Sequence, residues 1–502
     1  MTQVGRKVAV GAVWMVALRF IDRGIGFLST LILARLLMPE DFGVVGMAMA
    51  VFAFIEIGGQ FGFDIALIRE REATRAQYDS AWTLQVGYGA FTALALAALA
   101  VPAADYFSEP RLTGVLLALG AISVVQGLEN IGIVNFRKDF QYGKDFQLML
   151  SKKIVAVTVT MGLAFTFRNY WALLGGIATS RVAGVVLSYA LHAYRPRLDW
   201  SESKGLLTFS RWIVLRGFLD CLIDRGPDFL IGRHLEVGAL GLYRVSREIA
   251  TLPTTELIFP IMRAVFPGYA AMVHDRQKLA QAFLAVQATI VMLTLPAGVG
   301  IVILAGPVVH LLLGPKWLET IPLIQILGLY GALTVFQATN MSIFNVLGVP
   351  KWGAALKAAE AALLLPGMYV LFRLGHGTYS VAWAIFGAQA LVTPIGMALI
   401  GRLLPVGFKE RITVSWRPLL GTAAMAIALA ALPHALGAKP SAVGAALQLT
   451  LAIPVGATVF VASVALLWRL AGMPEGPESR LVALLRARLS KLPASASENP
   501  PV

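Results

Sequence analysis

The residues of this sequence that could do chemistry are charged side chains set inside long apolar stretches. Arg19, Asp22 and Arg23 interrupt the first of these stretches. A charged side chain at the centre of a bilayer costs on the order of 2.5–3.5 kcal/mol even on a lenient scale, so charges that persist there usually face a bundle interior or a water-filled pathway. We therefore expect them to mark a transport route. The residues predicted to line it are six arginines, Arg19, Arg23, Arg216, Arg225, Arg244 and Arg247, and six acids, Asp22, Glu56, Asp220, Asp224, Asp228 and Glu248.

The basic residues expected within the membrane are all arginines, and none is a lysine. Arginine stays protonated when buried and binds phosphate through two parallel hydrogen bonds, which favours a phosphate-bearing substrate. Acids are equally numerous, so the set does not amount to a positively charged pocket. The acids either pair with the arginines or bind H⁺ or Na⁺ as coupling ions. The alternative is that all these charges are structural ion pairs that lock helices together.

Helical spacing places these charges on shared faces and at shared depths. Positions 19, 22 and 23 share one helix face, as do positions 244, 247 and 248. At about 1.5 Å per residue, Asp224 and Arg225 fall level with Arg244 and Arg247 on the next helix, so we expect the two rows to pair. A second layer near the membrane midplane is predicted to contain Arg19, Asp22, Arg216 and Asp220.

The composition indicates the solvent in which these charges lie. Of the 502 residues, 57% are hydrophobic and only 14% are charged, whereas a soluble domain carries about 25% charged residues. The mean hydropathy is +0.73. We therefore predict an all-α polytopic membrane protein. The net charge of +14 comes from basic residues between apolar runs, a pattern typical of membrane topology and lipid contact, so we expect no nucleic-acid partner.

Fourteen segments are long and apolar enough to cross a membrane as helices. They are residues 10–37, 41–63, 80–103, 112–135, 147–168, 170–194, 208–232, 238–272, 280–313, 320–347, 352–374, 377–402, 416–436 and 442–471. Prolines such as Pro260 and Pro296 predict kinks in the eighth and ninth. With the N-terminus inside, 27 basic residues, Lys409 and Arg411 among them, fall on the cytoplasmic side and seven on the other. The positive-inside rule then places both termini in the cytoplasm.

The chain contains an internal duplication at an offset of 198 residues. Its matches include Trp14, Asp22, Arg35 and Gly43 with Trp212, Asp220, Arg233 and Gly241. We predict two parallel six-helix lobes around a central cavity, residues 1–200 and 201–415. Residues 416–472 add two spans. Residues 473–502 are predicted to form a basic amphipathic helix on the inner membrane surface, over 478–492, and a disordered tail.

No pattern of catalytic residues accompanies these spans. The sequence has no Asp-x-Asp motif, Gly-rich nucleotide loop, zinc-ligand spacing or nucleophile elbow, and no long outer loop of the kind that polymerases and ligases carry. The single cysteine, Cys221, excludes an intramolecular disulfide. We therefore predict no catalytic residues, no metal, no cofactor and no enzymatic activity.

Three further stretches carry a family resemblance. They are Gly62–Ile68, Asp228–Arg233 with the following Gly238–Tyr243, and Leu313–Trp317. They resemble the polysaccharide-flippase branch of the multidrug/oligosaccharidyl-lipid/polysaccharide exporter superfamily, over about residues 5–415. The resemblance implies two lobes around a V-shaped cavity. It also implies ion-driven alternating access that moves undecaprenyl-diphosphate-linked oligosaccharide units across the bacterial inner membrane, and the six arginines above are the positions that could bind the diphosphate.

The partners that follow from this resemblance are the lipid-linked oligosaccharide, the phospholipid membrane, a polysaccharide polymerase and glycosyltransferases, with the transporter acting as a monomer. Other functions stay open. Two additional helices such as those predicted over residues 416–472 also occur in lipid II flippases, so lipid II is one alternative substrate. A multidrug or cation exporter of the same superfamily is expected to have an acidic, aromatic cavity with few arginines. A membrane polysaccharide polymerase, ligase or glycosyltransferase is the remaining alternative.

Overall fold

The structure is a computed structural model that describes residues 3–56, 67, 73–139, 141–375, 377–436, 442–474 and 476–479. Within these ranges the chain is helical and has no strand. A helix satisfies its own backbone hydrogen bonds, which lipid cannot do. The long helices are α1 (Gln3–Leu36), α2 (Pro39–Glu56), α3 (Arg75–Phe107), α4 (Arg111–Gly127), α5 (Tyr142–Phe167), α6 (Trp171–Leu191), α7 (Ser203–His234), α8 (Val237–Ala271), α9 (Arg276–Ile303), α10 (Thr320–Val346), α11 (Pro350–Arg373), α12 (Gly377–Leu403), α13 (Phe408–Leu436) and α14 (Ala442–Leu470).

Nine helices in the described ranges are long and apolar enough to cross a membrane, or eleven if two bent pairs each count as one span. In one pair, α4 is followed by a short helical segment, Ile131–Lys138, at an angle of 65°. The other is α8, which bends by 40° after Met262, between two of the prolines that predict a kink there. The multi-pass membrane architecture is confirmed, whereas the count of fourteen spans stays a prediction.

The helices pack into two compact units. One comprises Met1–Glu248, Leu312–Leu323 and Lys357–Ala388, and the other Ile249–Leu311, Ile324–Leu356 and Gln389–Val502. In the first, α1 packs on α5, and α2 lies against α4 and α7. In the second, α13 packs against α9 and α14. The lobe boundaries at residues 200 and 415 rest on the duplication and not on compactness, so they stay a prediction.

Two glycines related by the duplication let α2 and α8 cross with their backbones in contact. A Cβ added at Gly43 would lie 1.9 Å from the carbonyl oxygen of Val237, the first residue of α8. A Cβ added at Gly241 would lie 1.9 Å from the carbonyl oxygen of Pro39, the first residue of α2. Gly43 corresponds to Gly241 and Pro39 to Val237 at the 198-residue offset, so the two contacts exchange under an approximate twofold axis. Small residues allow such close crossings in membranes.

Two arginines that correspond in the duplication, Arg35 and Arg233, each make a contact with the other copy of the repeat. Arg35 donates from Nε to the carbonyl oxygen of Leu312 at 3.0 Å. Arg233 donates to the carbonyl oxygen of Tyr106, in the last turn of α3, and its guanidinium lies 5.2 Å from that tyrosine ring. The last carbonyls of a helix lack intrahelical partners, and a cation there also stabilises the helix dipole. Each copy of the repeat therefore satisfies a helix end in the other copy.

The Leu313–Trp317 motif forms a turn that fills the junction between α1 and α2. Gly314 has φ of +94°, a conformation that glycine adopts without strain. Trp317 is fully buried and donates from Nε1 to the carbonyl oxygen of Ala34 at 2.7 Å. Its ring meets that of Phe42 edge-on, with centroids 5.4 Å apart. The motif thereby fixes the end of α1, the helix that carries the first group of predicted site residues.

The two helices outside the duplication, α13 and α14, pack on α9 in the second unit. Buried Met425 and Leu429 of α13 belong to one apolar cluster with Met292 of α9 and Phe460 of α14. Beyond α14 the chain returns to α13, where Arg417 and Glu478 form a buried ion pair with a distance of 2.8 Å from Nε to Oε1. The predicted amphipathic helix lies outside the described residues from position 480 onward.

Arg411 is buried, which the charge distribution does not predict. That distribution counts it with the cytoplasmic connections and the adjoining span ends, and the structure places it in the first turn of α13 with only 1% of its surface exposed. Its Nε and Nη2 atoms donate to the side-chain oxygens of Gln287 and Asn340 at 2.8 and 2.9 Å. A basic residue at the edge of an apolar run looks the same in sequence whether it faces the membrane surface or the helix bundle.

We expect Gly43→Ala and Gly241→Ala each to destabilise the protein by about 1–3 kcal/mol, because the added methyl group overlaps a carbonyl oxygen in a tight crossing. Thermal unfolding of the purified protein in detergent measures this. Gly162→Ala is the control, since a Cβ there meets no atom within 4 Å. It should leave the unfolding temperature unchanged or raise it slightly through better helix propensity. Equal unfolding temperatures for all three variants would contradict the backbone contact.

Candidate functional site

An open cleft lies between α1, α5 and α8 in the first unit, with a volume of about 270 Å³. Its walls are formed by Asp22, Arg23, Gly26, Ser29 and Thr30 of α1, Lys153 and Val157 of α5, and Glu248 of α8. The structure thus brings together three of the residues predicted for the site, Asp22, Arg23 and Glu248. Asp22 and Arg23 come from the first predicted lobe, and Glu248 comes from the second.

Charges of both signs meet in this cleft. Lys153 Nζ lies 3.2 Å from Asp22 Oδ1, and the two side chains keep 29% and 51% of their surface exposed. Glu248 forms a hydrogen bond with Thr30 and lies within electrostatic reach of Arg23 and Lys153. Because these groups remain accessible, they can exchange their present partners for a ligand. The cleft can therefore bind an anion at its basic residues and a cation at its acids.

A second charged cluster joins α7 to α8. Asp228 is 1% exposed and forms a hydrogen-bonded ion pair with Arg244. Arg225 Nη1 lies 3.9 Å from the same carboxylate, and Arg244 also donates to the carbonyl oxygen of Gly46 on α2 at 3.3 Å. Two guanidinium groups therefore share one enclosed carboxylate. This closed arrangement fits the structural alternative, in which the charges fix helices to one another.

A third group of charges is an open pair, one helical turn away on the same two helices. Arg247 Nη2 donates to Asp224 Oδ1 at 2.8 Å, and its Nη1 donates to the backbone carbonyl of Asp224 at 3.0 Å. The Asp224 side chain is 62% exposed. The predicted pairing between the two rows is confirmed. The partner of Arg244 is Asp228 and not Asp224, because the acidic positions on this face of α7 extend one helical turn beyond Asp224.

The remaining predicted residues are not brought into the cleft by any described contact. Glu56, at the end of α2, and Asp220 of α7 are half-buried. The side chains of Arg19 and Arg216 lie outside the described residues, so the layer predicted around them stays a prediction. Among the described residues, no group of three or more His, Cys, Asp or Glu side chains is arranged to hold a metal ion.

Lysines take part in these clusters, which corrects the expectation that the basic residues in the membrane are all arginines. Lys152 and Lys153 lie within α5, a helix apolar enough to cross the membrane. Lys152 Nζ lies 2.8 Å from Glu129 Oε1, while Lys153 reaches Asp22. Both lysines lie near the start of the predicted segment 147–168, where a basic residue is typical of a helix end at the membrane surface, whereas α5 itself begins earlier, at Tyr142. A similar pair, Lys357 with Glu360 at 2.9 Å, lies within α11.

We expect Asp228→Asn to destabilise the protein by about 3–5 kcal/mol, because it removes the enclosed carboxylate and leaves the partly buried Arg244 without its counter-ion. Asp224→Asn is the matched control, one turn away on the same helix. Its pair is exposed, so the loss should stay below about 1 kcal/mol. Denaturant or thermal unfolding of both variants in detergent measures the difference. Similar losses of stability for both variants would contradict the expectation that the enclosed pair stabilises the protein more than the exposed pair.

Sequence comparison places this chain among polysaccharide biosynthesis proteins. A family model described as "Polysaccharide biosynthesis protein" matches residues 32–322. The succinoglycan biosynthesis transport protein ExoT of Rhizobium meliloti (strain 1021) is 25% identical over 507 residues, covering 97% of each chain. The lipopolysaccharide biosynthesis protein WzxC of Escherichia coli (strain K12) is 24% identical over 337 residues, covering 65% of this chain and 67% of that one.

Structural comparison agrees at the level of the fold. The lipid II flippase MurJ in an inward closed conformation superimposes with a TM-score of 0.71 at 11% identity, covering 91% of this chain and 99% of that one. An inward-facing multidrug transporter of the MATE family reaches a TM-score of 0.61 at 17% identity, covering 76% of this chain and 94% of that one. These likenesses confirm the predicted all-α transporter fold. With a family model matching more than half of its length, the chain belongs to the polysaccharide biosynthesis protein family.

Proposed function

We propose that this protein moves lipid-linked oligosaccharide units for exopolysaccharide, capsule or O-antigen from the inner to the outer leaflet by alternating access. The family match and the relatives named for succinoglycan, lipopolysaccharide and teichuronic acid biosynthesis support this substrate class. The similar folds of a flippase and of multidrug transporters support a transporter over an enzyme. The undecaprenyl-diphosphate carrier and the ion gradient are the finer parts of the proposal.

The observation that carries this proposal is the exposed mixture of charges in the cleft. Arg23 and Lys153 supply donors for a diphosphate, a ligand that both guanidinium and ammonium groups bind. Asp22 already pairs with Lys153, so a diphosphate would compete with this carboxylate for the lysine. A carboxylate released in this way gains affinity for H⁺ or Na⁺. Substrate binding and ion binding are thereby linked in one place.

The charge composition also bears on the alternatives. A cation exporter needs a cavity dominated by acids, whereas Arg23, Lys153 and the neighbouring Arg247 supply positive charge here. A lipid II flippase remains the nearest alternative, because lipid II also carries a diphosphate and the MurJ fold is similar. A polymerase, ligase or glycosyltransferase is disfavoured, since the relatives include a named transport protein and none of those named is a polymerase, ligase or glycosyltransferase.

The setting we propose is the bacterial inner membrane, with both termini in the cytoplasm. The excess of basic residues in one set of connections supports this orientation. The protein would act as a monomer with two six-helix lobes, residues 1–200 and 201–415, followed by two more spans. A polysaccharide polymerase and glycosyltransferases are its proposed partners, because glycosyltransferases must supply the lipid-linked units and a polymerase must consume them.

In proteoliposomes, we expect Arg23→Met and Lys153→Met each to slow translocation of a lipid-linked oligosaccharide by about tenfold or more, because each removes a charge-assisted hydrogen bond to the diphosphate. Lys152→Met is the matched control, since Lys152 lies beside Lys153 on α5 but pairs with Glu129. It should retain a rate near that of the unaltered protein. Normal rates in both cleft variants, with normal insertion, would remove the cleft as the substrate site.

Asp22→Asn tests the coupling part of the proposal, since Asp22 is the carboxylate that a bound diphosphate would release from Lys153. We expect it to abolish the dependence of translocation on a proton or sodium gradient, while exchange in the absence of a gradient continues. The reason is that a side-chain amide carries no negative charge to bind Na⁺ and takes up no proton. The measurement is the translocation rate with and without an imposed gradient. An unchanged gradient dependence would assign coupling to other acids. Transport of lipid II with rejection of other lipid-linked oligosaccharides would favour the lipid II flippase.

A further inference from the structure

Arg411 lies at the centre of a buried polar cluster in the second compact unit. It is 1% exposed, and its two hydrogen-bond partners, Gln287 of α9 and Asn340 of α10, are 0% exposed. Nε donates to Gln287 Oε1 at 2.8 Å and Nη2 donates to Asn340 Oδ1 at 2.9 Å. This edge of the guanidinium usually grips the two oxygens of a carboxylate or phosphate. In this cluster the same edge donates to two neutral side-chain amides, which belong to two different helices.

The positive charge of Arg411 has no counter-ion among the described residues. No carboxylate in the described ranges lies close enough to act on its guanidinium. The ring of Phe283, 5.0 Å away, provides a weak attraction. An arginine near a helix end usually extends to the membrane surface, but this one is turned inward. A buried charge without a partner is strongly unfavourable.

Arg417 provides an internal comparison on the same helix. It is similarly buried, with 8% of its surface exposed, and lies six residues after Arg411. Its Nε and Nη2 atoms donate to the two carboxylate oxygens of Glu478 at 2.8 and 3.3 Å. Among the described residues, one of the two buried arginines of α13 has a carboxylate as its partner, and the other has neutral amides.

Several donors around Arg411 also have no hydrogen-bond partner among the described atoms. They are Arg411 Nη1, Gln287 Nε2, Asn340 Nδ2 and Ser415 Oγ, and all are closed to solvent. Ser415 lies one turn after Arg411, on the same face of α13. Buried donors nearly always have partners in folded proteins. Three of these four atoms can only donate, so the group that satisfies them must be an acceptor.

We propose that this cluster binds a small monovalent inorganic anion, which in the cell is chloride. An anion beside this guanidinium accepts hydrogen bonds from unpartnered donors around it and supplies the counter-charge that the described part of the chain does not provide. The enclosed position favours a small monovalent ion, because a phosphate ester carries more charge to dehydrate and a lipid headgroup needs an exit for its acyl chains. The bound ion connects α9, α10 and α13 within the second unit. The inference is independent of the transported substrate.

The test is thermal unfolding of the purified protein in detergent at constant ionic strength, with chloride replaced stepwise by gluconate. We expect the unfolding temperature to rise with chloride along a single-site curve, by about 2–5 °C at saturation. Arg411→Met should abolish this dependence and be at least as stable as the unaltered protein without chloride, because it removes an unpaired buried charge. The double variant Arg417→Met with Glu478→Met, which removes an arginine together with its counter-ion, should retain the full dependence.

A purely structural Arg411 gives a different result. Arg411→Met would then lose stability equally with and without chloride, and this outcome overturns the proposal. If Arg411→Met fails to fold, Ser415→Ala serves in its place and should lower the apparent chloride affinity. A bromide-substituted crystal of the unaltered protein should show an anomalous peak beside Arg411. No chloride dependence and no peak, or a response only to phosphate or only to anionic lipid, would also overturn it.

Discussion

A charge that leaves water for a helix bundle needs a compensating group close by, and this constraint explains much of the arrangement of the described helices. The described charges differ in how far they are enclosed and in the kind of group that compensates them. Asp228 is enclosed and paired with the half-buried Arg244, which ties α7 to α8. Asp22 and Lys153 are paired but accessible, so a ligand can replace either partner. Arg411 is enclosed with only neutral amides beside it. The degree of enclosure therefore separates groups that hold helices from groups that can bind something.

The positions of these charges depend on backbone contacts elsewhere in the first unit. The contacts of Gly43 and Gly241 bring the starts of α2 and α8 together, and this sets the depth at which Arg244 and Arg247 meet α7. Trp317 packs against the junction of α1 and α2, which sets the end of the helix that carries Asp22 and Arg23. The cleft therefore depends on residues that do not line it, and its charges are displaced if those contacts are lost.

Much of the fold could be predicted from the sequence. In lipid, a helix satisfies its backbone hydrogen bonds within one segment, and the rise per residue of a helix fixes which residues lie at the same depth. The pairing of the α7 and α8 charges followed from 1.5 Å per residue alone. The cleft could not be predicted, because its walls come from three helices far apart in the chain. Lys153 was missed since it lies near the start of its predicted segment, where a basic residue is typical of the membrane surface. Arg411 was missed since nothing local tells an inward basic residue from one at the membrane surface.

The exchanged contacts of Arg35 and Arg233 bear on the origin of the chain. Each arginine satisfies carbonyl groups that belong to the other copy of the repeat, and the two glycines at the crossing do the same for backbone packing. A single copy on its own would leave its helix ends and its crossing surface without partners. Two identical copies facing each other across a twofold axis would satisfy both, as in an isologous dimer. The arrangement is therefore the one that gene duplication and fusion of the two subunits of a homodimer would produce.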